Sequence, residues 1–410
     1  MKTIRMVVVL MTVSSLQGYS DDAQDALSPE QQQFKAALQT FSGQRYGLLK
    51  KIAAELDLPV PLEVHPFFEA AIAGDEKGVI KQFASLSDKV EYNYSLNPAL
   101  RNELWAPIHE TIGAYEDMWE GWKKDAELMK MFYEPILKVM PLGSIYFGGT
   151  DPGRFMITPM NEVGSSNVFC LTQNALADGS YLSHIRFVYG KQIWIPSAED
   201  SAKAFQQFVK DVQAGRSSHK DALKIQDGRV EVTGAAAVME INSILARHIF
   251  DNNKDKHAFY VEESYTIEWM YPYLEPCGPI MKLTPSAKMT EEVIAKDMAF
   301  WKNQIDQLEQ HPRFAENPAA RKSFAKLRSA IAGLYQYHQM YEHAETAYRQ
   351  AHRLDPTSPE PLLRLTDMLV KQERLTDAIE FLQPHIERDE RFKAYFEKLV
   401  ERREEFRKIL

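Results

Sequence analysis

Residues 143–155, "GSIYFGGTDPGRF", decide the prediction of the fold. An apolar, strand-like run ends in two glycines, and a Thr-Asp-Pro-Gly-Arg segment follows. In α/β sheets, ligands bind at the carboxyl ends of strands, so the position is typical of a functional loop. A Walker phosphate loop needs Lys and then Ser or Thr where this chain has Arg154 and Phe155. A G-x-G-x-x-G dinucleotide fingerprint is also absent, so classical nucleotide chemistry is disfavoured.

Two interpretations of this loop stay open. In the first, backbone amides of the loop face an anionic ligand, Arg154 pairs with its phosphate or carboxylate, and Asp151 acts as a base or a metal ligand. The ligand-binding candidates in the loop are Gly148, Gly149, Thr150, Gly153 and Arg154. In the second, the segment is a tight turn in which Asp151 caps the following helix and Arg154 makes an internal salt bridge.

Two further strand ends carry polar side chains. Asn174 and Asp178 follow the apolar run NVFCLTQ, and Glu262 and Glu263 follow HAFYV. If these strands are parallel neighbours of the first, all three ends share one edge of the sheet. Asp151 with Glu262 or Glu263 would then suit acid–base catalysis, or a divalent cation held by oxygen ligands. Cysteine and histidine show no metal-binding spacing, and no G-x-S-x-G nucleophile motif occurs.

The segment 141–289 is predicted to be an α/β domain with a mostly parallel sheet and flanking helices. Short apolar runs alternate there with helix-length segments, which is typical of α/β layering. The predicted strands are SIYFGG (144–149), NVFCLTQ (167–173), QIWIPS (192–197), GRVEVTG (228–234), HAFYVEES (257–264) and PIMKLTP (279–285).

Residues 1–20 have the order of a secretory signal peptide. Lys2 and Arg5 precede an apolar core at 6–13, and Gly18 and Ser20 suit cleavage before Asp21. The apolar run is too short to span a bilayer, so no transmembrane helix is expected. Residues 21–140 are predicted to be helical, beginning at the Ser28-Pro29-Glu30 cap pattern. The sequence therefore predicts a periplasmic or secreted protein with a helical N-terminal region.

The segment 290–410 is predicted to be helical and to contain a repeat. Ala344, Tyr348, Ala351 and Pro356 follow the spacing of a tetratricopeptide repeat, and Ala378 stands 34 residues after Ala344. The chain thus resembles two such repeats at about 325–358 and 359–392, followed by a polar capping helix. The resemblance implies a groove for a segment of a protein partner.

Composition narrows the classes of partner. The chain has 410 residues, 45% of them hydrophobic, and a formal net charge of −9, so nucleic acid and anionic membrane surfaces have no electrostatic support. Only two cysteines occur, Cys170 and Cys277. One disulfide could join them in an exported protein, and a buried thiol is the alternative for Cys170.

The three polar segments FGGTDPGRF, LTQNALADGSYL and YVEESYTIEWMYPYLEPCGPIMKL together resemble the soluble region of bacterial membrane proteins described as glycosyltransferase-like. Proteins of that family often end in tetratricopeptide repeats. The resemblance covers about 141–285 and the repeats, and it implies an envelope location and a partner or glycan ligand. In that family transmembrane helices assemble the sugar-transfer site, and this chain has none in its predicted organisation.

The sequence favours an exported binding or assembly protein over an enzyme. Its repeats would hold a protein partner, and the strand-end cleft would hold a glycan or small anionic ligand, with no required cofactor. The alternative is a hydrolase or transferase in which Asp151 works with Glu262 or Glu263 and Arg154 stabilises developing negative charge.

Overall fold

A computed structural model describes residues 27–90, 93–96, 102–217, 223–226, 229–263 and 267–409. The predicted signal peptide lies outside the described residues. The chain divides into two compact units, Met1–Met289 and Thr290–Leu410. The helices that precede the sheet therefore belong to the same unit as the sheet, and the helices from Thr290 onward form a unit of their own.

The first unit begins with a helical region. Ser28 and Gln31 form a capping box at the start of the first helix, and Pro29 takes its first turn. Ser87–Val90 and Asn93–Leu96 add a short antiparallel strand pair that the sequence did not predict. The elements are α1 (Pro29–Glu55), α2 (Val64–Ala73), α3 (Glu76–Leu86), β1 (Ser87–Val90), β2 (Asn93–Leu96), α4 (Trp105–Gly113) and α5 (Ala126–Val139).

A π-helix, Ala114–Glu120, continues α4 directly. Its wider turns rotate the side chains that follow Gly113, and such segments occur often at functional sites. Trp119 lies on it, fully buried, and stacks on Phe34 of α1 with ring centroids 5.5 Å apart. The π-helix is thus anchored to the core on one side and has its acidic residues on the other.

A five-stranded mixed sheet lies at the centre of this unit, in the order β4-β3-β7-β9-β8. β3 runs parallel to both of its neighbours, whereas β7–β9 and β9–β8 are antiparallel pairs. The carboxyl ends of β3, β4 and β7 consequently lie along one edge. The strands are β3 (Ile145–Gly148), β4 (Phe169–Thr172), β5 (Leu223–Gln226), β6 (Arg229–Val232), β7 (Phe259–Val261), β8 (Leu274–Cys277) and β9 (Ile280–Leu283).

The sheet differs from the predicted, mostly parallel one in three respects. The β8–β9 hairpin makes it mixed, and β6 pairs only with β5 in a separate hairpin. Residues 192–197, predicted as a strand, form a loop. There the backbone N–H of Trp194 donates to Asn253 Oδ1 (2.9 Å), and Asn253 Nδ2 donates back to the Trp194 carbonyl (2.9 Å). The Asn253 side chain thus makes the two backbone hydrogen bonds that a neighbouring strand would otherwise make with Trp194.

Helices flank the sheet and connect its strands. They are α6 (Asp151–Phe155), α7 (Ile157–Val163), α8 (Gly179–Tyr189), α9 (Ala198–Gln213) and α10 (Ala235–Asn253). Cys170 is buried in β4 and Cys277 ends β8, and both are free thiols rather than a disulfide. In the part of the chain that the structure describes, no helix has the length and apolarity needed to cross a membrane.

The second unit is helical throughout its described residues. A buried ion pair between Arg328 Nη1 and Asp297 Oδ2 (2.7 Å) joins its first two helices. Its helices are α11 (Glu291–Gln310), α12 (Pro318–Tyr337), α13 (Tyr341–Leu354), α14 (Pro359–Lys371), α15 (Leu375–Leu382) and α16 (Glu390–Ile409), and a 3₁₀ segment at Gln383–Arg388 precedes α16.

The turns of this unit recur with a constant spacing. Gln339 and Glu373, 34 residues apart, are both in the left-handed conformation, with φ of 59° and 61°. In each turn the following amide donates 2.9 Å to a carbonyl five residues back, Met340 to Tyr335 and Arg374 to Leu369. The α12–α13 and α14–α15 connections therefore have the same geometry.

Glycine at Gln339 is expected to stabilise the protein. A left-handed residue other than glycine costs about 1 kcal/mol or more, and removing that cost exceeds the entropy that glycine adds to the unfolded chain. We expect Gln339→Gly to raise the free energy of unfolding by about 0.5 kcal/mol in urea denaturation. Lys322→Gly, on the exposed face of α12, is the control and should lower it by about 1 kcal/mol. A loss of stability in Gln339→Gly would contradict the turn geometry.

Candidate functional site

The loop after β3 is closed by the carboxylate of Glu262, which follows β7. Glu262 Oε2 accepts hydrogen bonds from the backbone N–H of Gly149 (2.7 Å) and of Thr150 (2.9 Å). Thr150 Oγ1 donates to Glu262 Oε1 at 2.5 Å. Glu262 is 1% exposed, so the parallel β3–β7 pairing delivers a buried carboxylate to the start of α6.

Glu262 therefore stands where an anionic ligand would bind. The amides of Gly149 and Thr150, which the sequence offered as anion donors, point at an acidic side chain of the same chain. Thr150 is also the cap of α6, because its side chain accepts from the Gly153 N–H (3.3 Å). The cap is thus Thr150 and not Asp151. The backbone amides of Gly149 and Thr150 are hydrogen-bonded within the chain, so this part of the loop is a structural turn.

Gly153 is required by the close approach of Glu262. A Cβ at Gly153 would lie 2.1 Å from Glu262 Oε2, far inside contact distance. Gly148 ends β3 next to the same turn, and a Cβ there would lie 2.9 Å from the Gly153 carbonyl oxygen. Gly148 and Gly153 thus allow the turn to fold over the carboxylate.

Glu263 lies beside the same loop. Its side chain is buried alongside Gly149, and its backbone carbonyl accepts from Gln173 Nε2 at 2.6 Å. Asn174 reaches the loop from the end of β4, because its Nδ2 donates to the Gly149 carbonyl at 3.0 Å. The three strand ends therefore meet at Gly149, as the parallel arrangement requires.

Asp178 has a local function. Its side chain accepts hydrogen bonds from the N–H groups of Ser180 (2.8 Å) and Tyr181 (3.4 Å), so it caps α8. Tyr181 in turn accepts through its hydroxyl from the Thr172 N–H at 2.6 Å. Asp178 thus fixes the start of α8 against the end of β4, and its hydrogen bonds to the described residues stay within α8.

Asp151 and Arg154 lie on the other side of the loop, where α6 packs on α4. A Cβ on Gly113 would stand 2.5 Å from the Phe155 ring, so the two helices touch at this glycine. The His109 ring meets the same Phe155 edge-on, with centroids 5.2 Å apart. His109, Gly113 and Asp117 follow one another at one-turn intervals, and the face that carries them runs along α6.

This packing places Asp117 of the π-helix beside Asp151. Burial, with the negative charges of Asp151 and Glu116, raises the pKa of Asp117 from its ordinary value of 3.8 to about 7, although Arg154 opposes the shift. Asp151 itself is exposed. Two neighbouring carboxyl groups, one of which has a raised pKa, are an arrangement that acid–base catalysis uses.

Arg154 is the cation of this group. Its guanidinium lies 4.9 Å from the Phe155 ring centroid and 5.7 Å from that of Tyr181, and its buried Nε has no hydrogen-bond partner. Arg154 makes no ion pair with the described residues, so the internal salt bridge of the second interpretation is not found among them. Burial and Arg154 together lower the pKa of His109 to about 3, which keeps its imidazole neutral.

A buried ionic network supports α4 from behind. Arg45 of α1 pairs with Glu110 (2.5 Å) and with Glu162 of α7 (2.5 Å), and His184 of α8 contacts Glu110 at 3.3 Å. Burial alone would raise the pKa of Glu110, but Arg45 and His184 bring it well below its ordinary range. The network fixes α4 relative to three other helices and thereby the position of His109 and Asp117.

Sequence reasoning missed Asp117 and His109. Both lie in the segment 21–140, which was predicted only to be helical and contributed no site residue. The available signal was the acidic pair Glu116-Asp117 in a segment rich in apolar residues. Among the residues that the structure describes, no three His, Cys, Asp or Glu side chains are grouped to hold a metal ion.

The raised pKa of Asp117 predicts a pH-dependent stability. Between pH of about 4 and 7 the folded protein keeps a proton that the unfolded chain has released, so stability falls as pH rises through this window. Asp117→Asn should remove this contribution, about 2 kcal/mol after allowing for the partial exposure of the side chain. Urea unfolding at pH 4.5 and 8 measures it. An unchanged pH slope in Asp117→Asn would contradict the assignment, and Glu134→Gln, at an exposed position, is the control.

Comparison with known proteins yields no relative. No protein-family model matches the chain, no curated protein matches it, and no solved structure matches it.

Proposed function

We propose that this protein is an exported binding and assembly protein of the cell envelope, whose C-terminal unit holds a segment of a protein partner. The observation that carries the proposal is the 34-residue recurrence of the turns at Gln339 and Glu373. Thirty-four residues is the period of tetratricopeptide repeats, which present grooves to extended or helical peptides.

The packing of the helices supports a repeat of this type. Ala344, Ala351 and Ala378, the small residues of the sequence pattern, are fully buried. The link after each helix pair also recurs: Asp355 and Asp389 accept, through Oδ1, from the amide two residues on, at 3.1 and 2.8 Å. The two α-hairpins thus share their turn geometry and an aspartate turn after the second helix, although a 3₁₀ segment precedes that turn in the second pair.

The exposed faces of α12 and α14 are the proposed binding surface. On α14 the solvent-facing residues Glu360, Arg364, Asp367 and Lys371 recur at intervals of three or four, so they form one stripe. On α12 the residue 34 positions before Lys371 is Tyr337, which is 48% exposed, and Lys322 is exposed on the same helix. Mixed charges beside an aromatic residue suit a polar peptide with an apolar anchor.

Charge reversal on the α14 stripe tests the proposal. We expect full-length protein carrying Asp367→Lys and Glu360→Lys to lose the envelope protein that the unchanged protein retains in a quantitative affinity capture. Glu380→Lys, on the exposed face of α15, is the matched control and should retain it. Equal retention by all three proteins, or no specific retention by any, would contradict the proposal. Circular dichroism shows that each variant is folded.

Export rests on the pattern of residues 1–20 and on the resemblance to envelope glycosyltransferase-like proteins. Mass spectrometry of the protein recovered from the producing cells tests export. The measured mass should be that of a chain that begins at Asp21. A protein that keeps Met1 or is found only with cytoplasmic markers would contradict export.

A second candidate function is favoured by Asp117. In this alternative the protein is a hydrolase or transferase that acts on a glycan, with protonated Asp117 as general acid and Asp151 as base or nucleophile. Arg154, with its unpartnered Nε, would stabilise the developing negative charge. Glu262 and Glu263, the partners first expected for Asp151, are tied into the β3 turn, so Asp117 replaces them in this proposal.

Hydrolysis of a panel of 4-nitrophenyl glycosides tests the enzyme alternative. We expect release of nitrophenol that falls 10²- to 10⁴-fold in Asp117→Asn and in Asp151→Asn, the range for loss of a general acid or base. Glu134→Gln, at an exposed position on α5, should keep the rate within about twofold of the unchanged protein, since Glu134 is not assigned to the reaction and does not shift the pKa of Asp117. Absence of hydrolysis at every pH from 4 to 8, or equal rates in all variants, would contradict it.

A further inference from the structure

A groove of about 220 Å³ lies between α8, α9 and α10, apart from the strand-end loop. Each helix contributes one face. Gly179, Leu182, Ser183 and Arg186 come from α8, whereas Ala198, Ser201, Ala202 and Phe205 come from α9 at the same helical spacing; Ile241 and Leu245 of α10 complete the lining.

The groove is apolar at its floor and open at its rim. Leu182, Ile241 and Leu245 are each no more than 2% exposed and form the floor. Gly179 and Ala198 at the rim are exposed and small, so neither side chain fills the space above the floor. A cavity of about 150 Å³ accommodates benzene, so a ligand of about ten non-hydrogen atoms fits here.

Arg186 supplies a single positive charge at this groove. Its Nη1 donates to the Pro196 carbonyl (2.8 Å) and its Nη2 to Ser183 Oγ (2.9 Å), and both acceptors are neutral. These bonds fix the guanidinium at the rim. Burial lowers the pKa of Arg186, and the negative charge of Asp200, whose carboxylate is engaged in the capping box of α9, opposes this shift.

We propose that this groove binds a small amphipathic monocarboxylate, with its hydrocarbon part on the Leu182–Ile241–Leu245 floor and its carboxylate on Arg186. Charge complementarity selects this class of ligand. A fixed guanidinium beside apolar surface, without a carboxylate paired to it, is neutralised best by an anion whose other end is apolar. The N-terminal turn of α9, at Ala198 and Ser201, adds a favourable dipole to the same rim.

The groove is linked to the strand-end loop by one side chain. Asn242 of α10 accepts from the Ala177 N–H (2.6 Å) at the wall of the groove and donates through Nδ2 to the Asn174 carbonyl (2.9 Å). Asn174 in turn holds Gly149. A ligand that orders α8 and α10 would therefore also order the edge where β3, β4 and β7 end.

Titration with octanoate and with octanol tests the proposal on the full-length protein. We expect octanoate to bind at least tenfold more tightly than octanol in isothermal titration calorimetry, because a charge-assisted hydrogen bond favours the anion. Arg186→Gln should abolish that preference and leave octanol binding within twofold. Lys203→Gln, on the outer face of α9, is the matched charge control and should keep it.

Ala202→Trp fills the groove without changing its charge and should abolish binding of both probes. Because the preference for octanoate is measured in the unchanged protein, the proposal stays open to refutation even if Arg186→Gln does not fold. No octanoate binding up to millimolar concentration, equal binding of octanoate and octanol, or an unchanged preference in a folded Arg186→Gln would each overturn it.

Discussion

Replacing Glu262 by alanine is expected to lower the free energy of unfolding by at least about 3 kcal/mol. The substitution leaves the N–H groups of Gly149 and Thr150 and the Thr150 hydroxyl without the acceptor that they share. Buried donors that lose a charged acceptor cost more than the net value of the bond, since no water replaces it. Urea denaturation of the full-length protein measures the loss.

The matched substitution is Glu262→Gln. Its side-chain carbonyl still accepts from the two amides, and its NH₂ group donates to Thr150 Oγ1, so the cost should stay below about 1 kcal/mol. A loss of less than 1 kcal/mol in Glu262→Ala would contradict the structural role. Equal losses in both variants would show that the charge, and not the hydrogen-bonded shape, holds the turn.

Replacing Arg328 by methionine is expected to destabilise the second unit by about 3–5 kcal/mol. Arg328 is fully buried and holds Asp297 of α11 and Gln350 of α13 at 2.7 and 2.8 Å. Tyr335 donates to the same Asp297 oxygen at 2.7 Å, so removal of the guanidinium leaves one hydroxyl against a buried carboxylate. Hydrogen exchange of amides between Thr290 and Leu410 reports on this unit alone.

The double variant Asp297→Leu with Arg328→Met separates the pair from its surroundings. Removing both charges eliminates the uncompensated carboxylate, and apolar pairs of similar volume often match a buried ion pair in stability. We therefore expect the double variant to recover most of the loss. If Arg328→Met alone leaves exchange unchanged, the ion pair does not hold α11 to α12.

The sequence identified the strands whose apolar runs are continuous. β3, β4, β7 and β9 are buried and nearly free of polar residues, which is the pattern of a strand covered on both faces. β8 was missed because Leu274–Cys277 follows an aromatic run and contains Pro276, which suits only an edge strand. The prediction of a strand at residues 192–197 was wrong. The apolar Ile193 and Ile195 indicate that the segment is buried, but not what its backbone bonds to, and the Trp194 backbone bonds to the side chain of Asn253.

The candidate site was predictable in one half only. Because parallel strands end at the same edge of a sheet, Asp151, Asn174 and Glu262 were expected near one another. The hydrogen bonds from Glu262 and Asn174 to Gly149 lie at that edge. The sequence could not show that Glu262 accepts the hydrogen bonds of the Gly149 and Thr150 amides, because these bonds depend on a turn geometry that several sequences could adopt. Nor could the sequence point to Asp117. Asp117 lies beside Asp151 because α6 packs on α4, where Phe155 contacts Gly113.

The central claim is that the exposed faces of α12 and α14 hold a protein partner. Site-specific photo-crosslinking in the cells that make the protein tests it directly, with a benzophenone amino acid at Tyr337, Lys371 or Glu380. We predict discrete protein adducts from Tyr337 and Lys371, on the first helices of the two pairs, and none from Glu380 on α15. Adducts of equal yield from all three positions, or adducts from Glu380 alone, would contradict the claim.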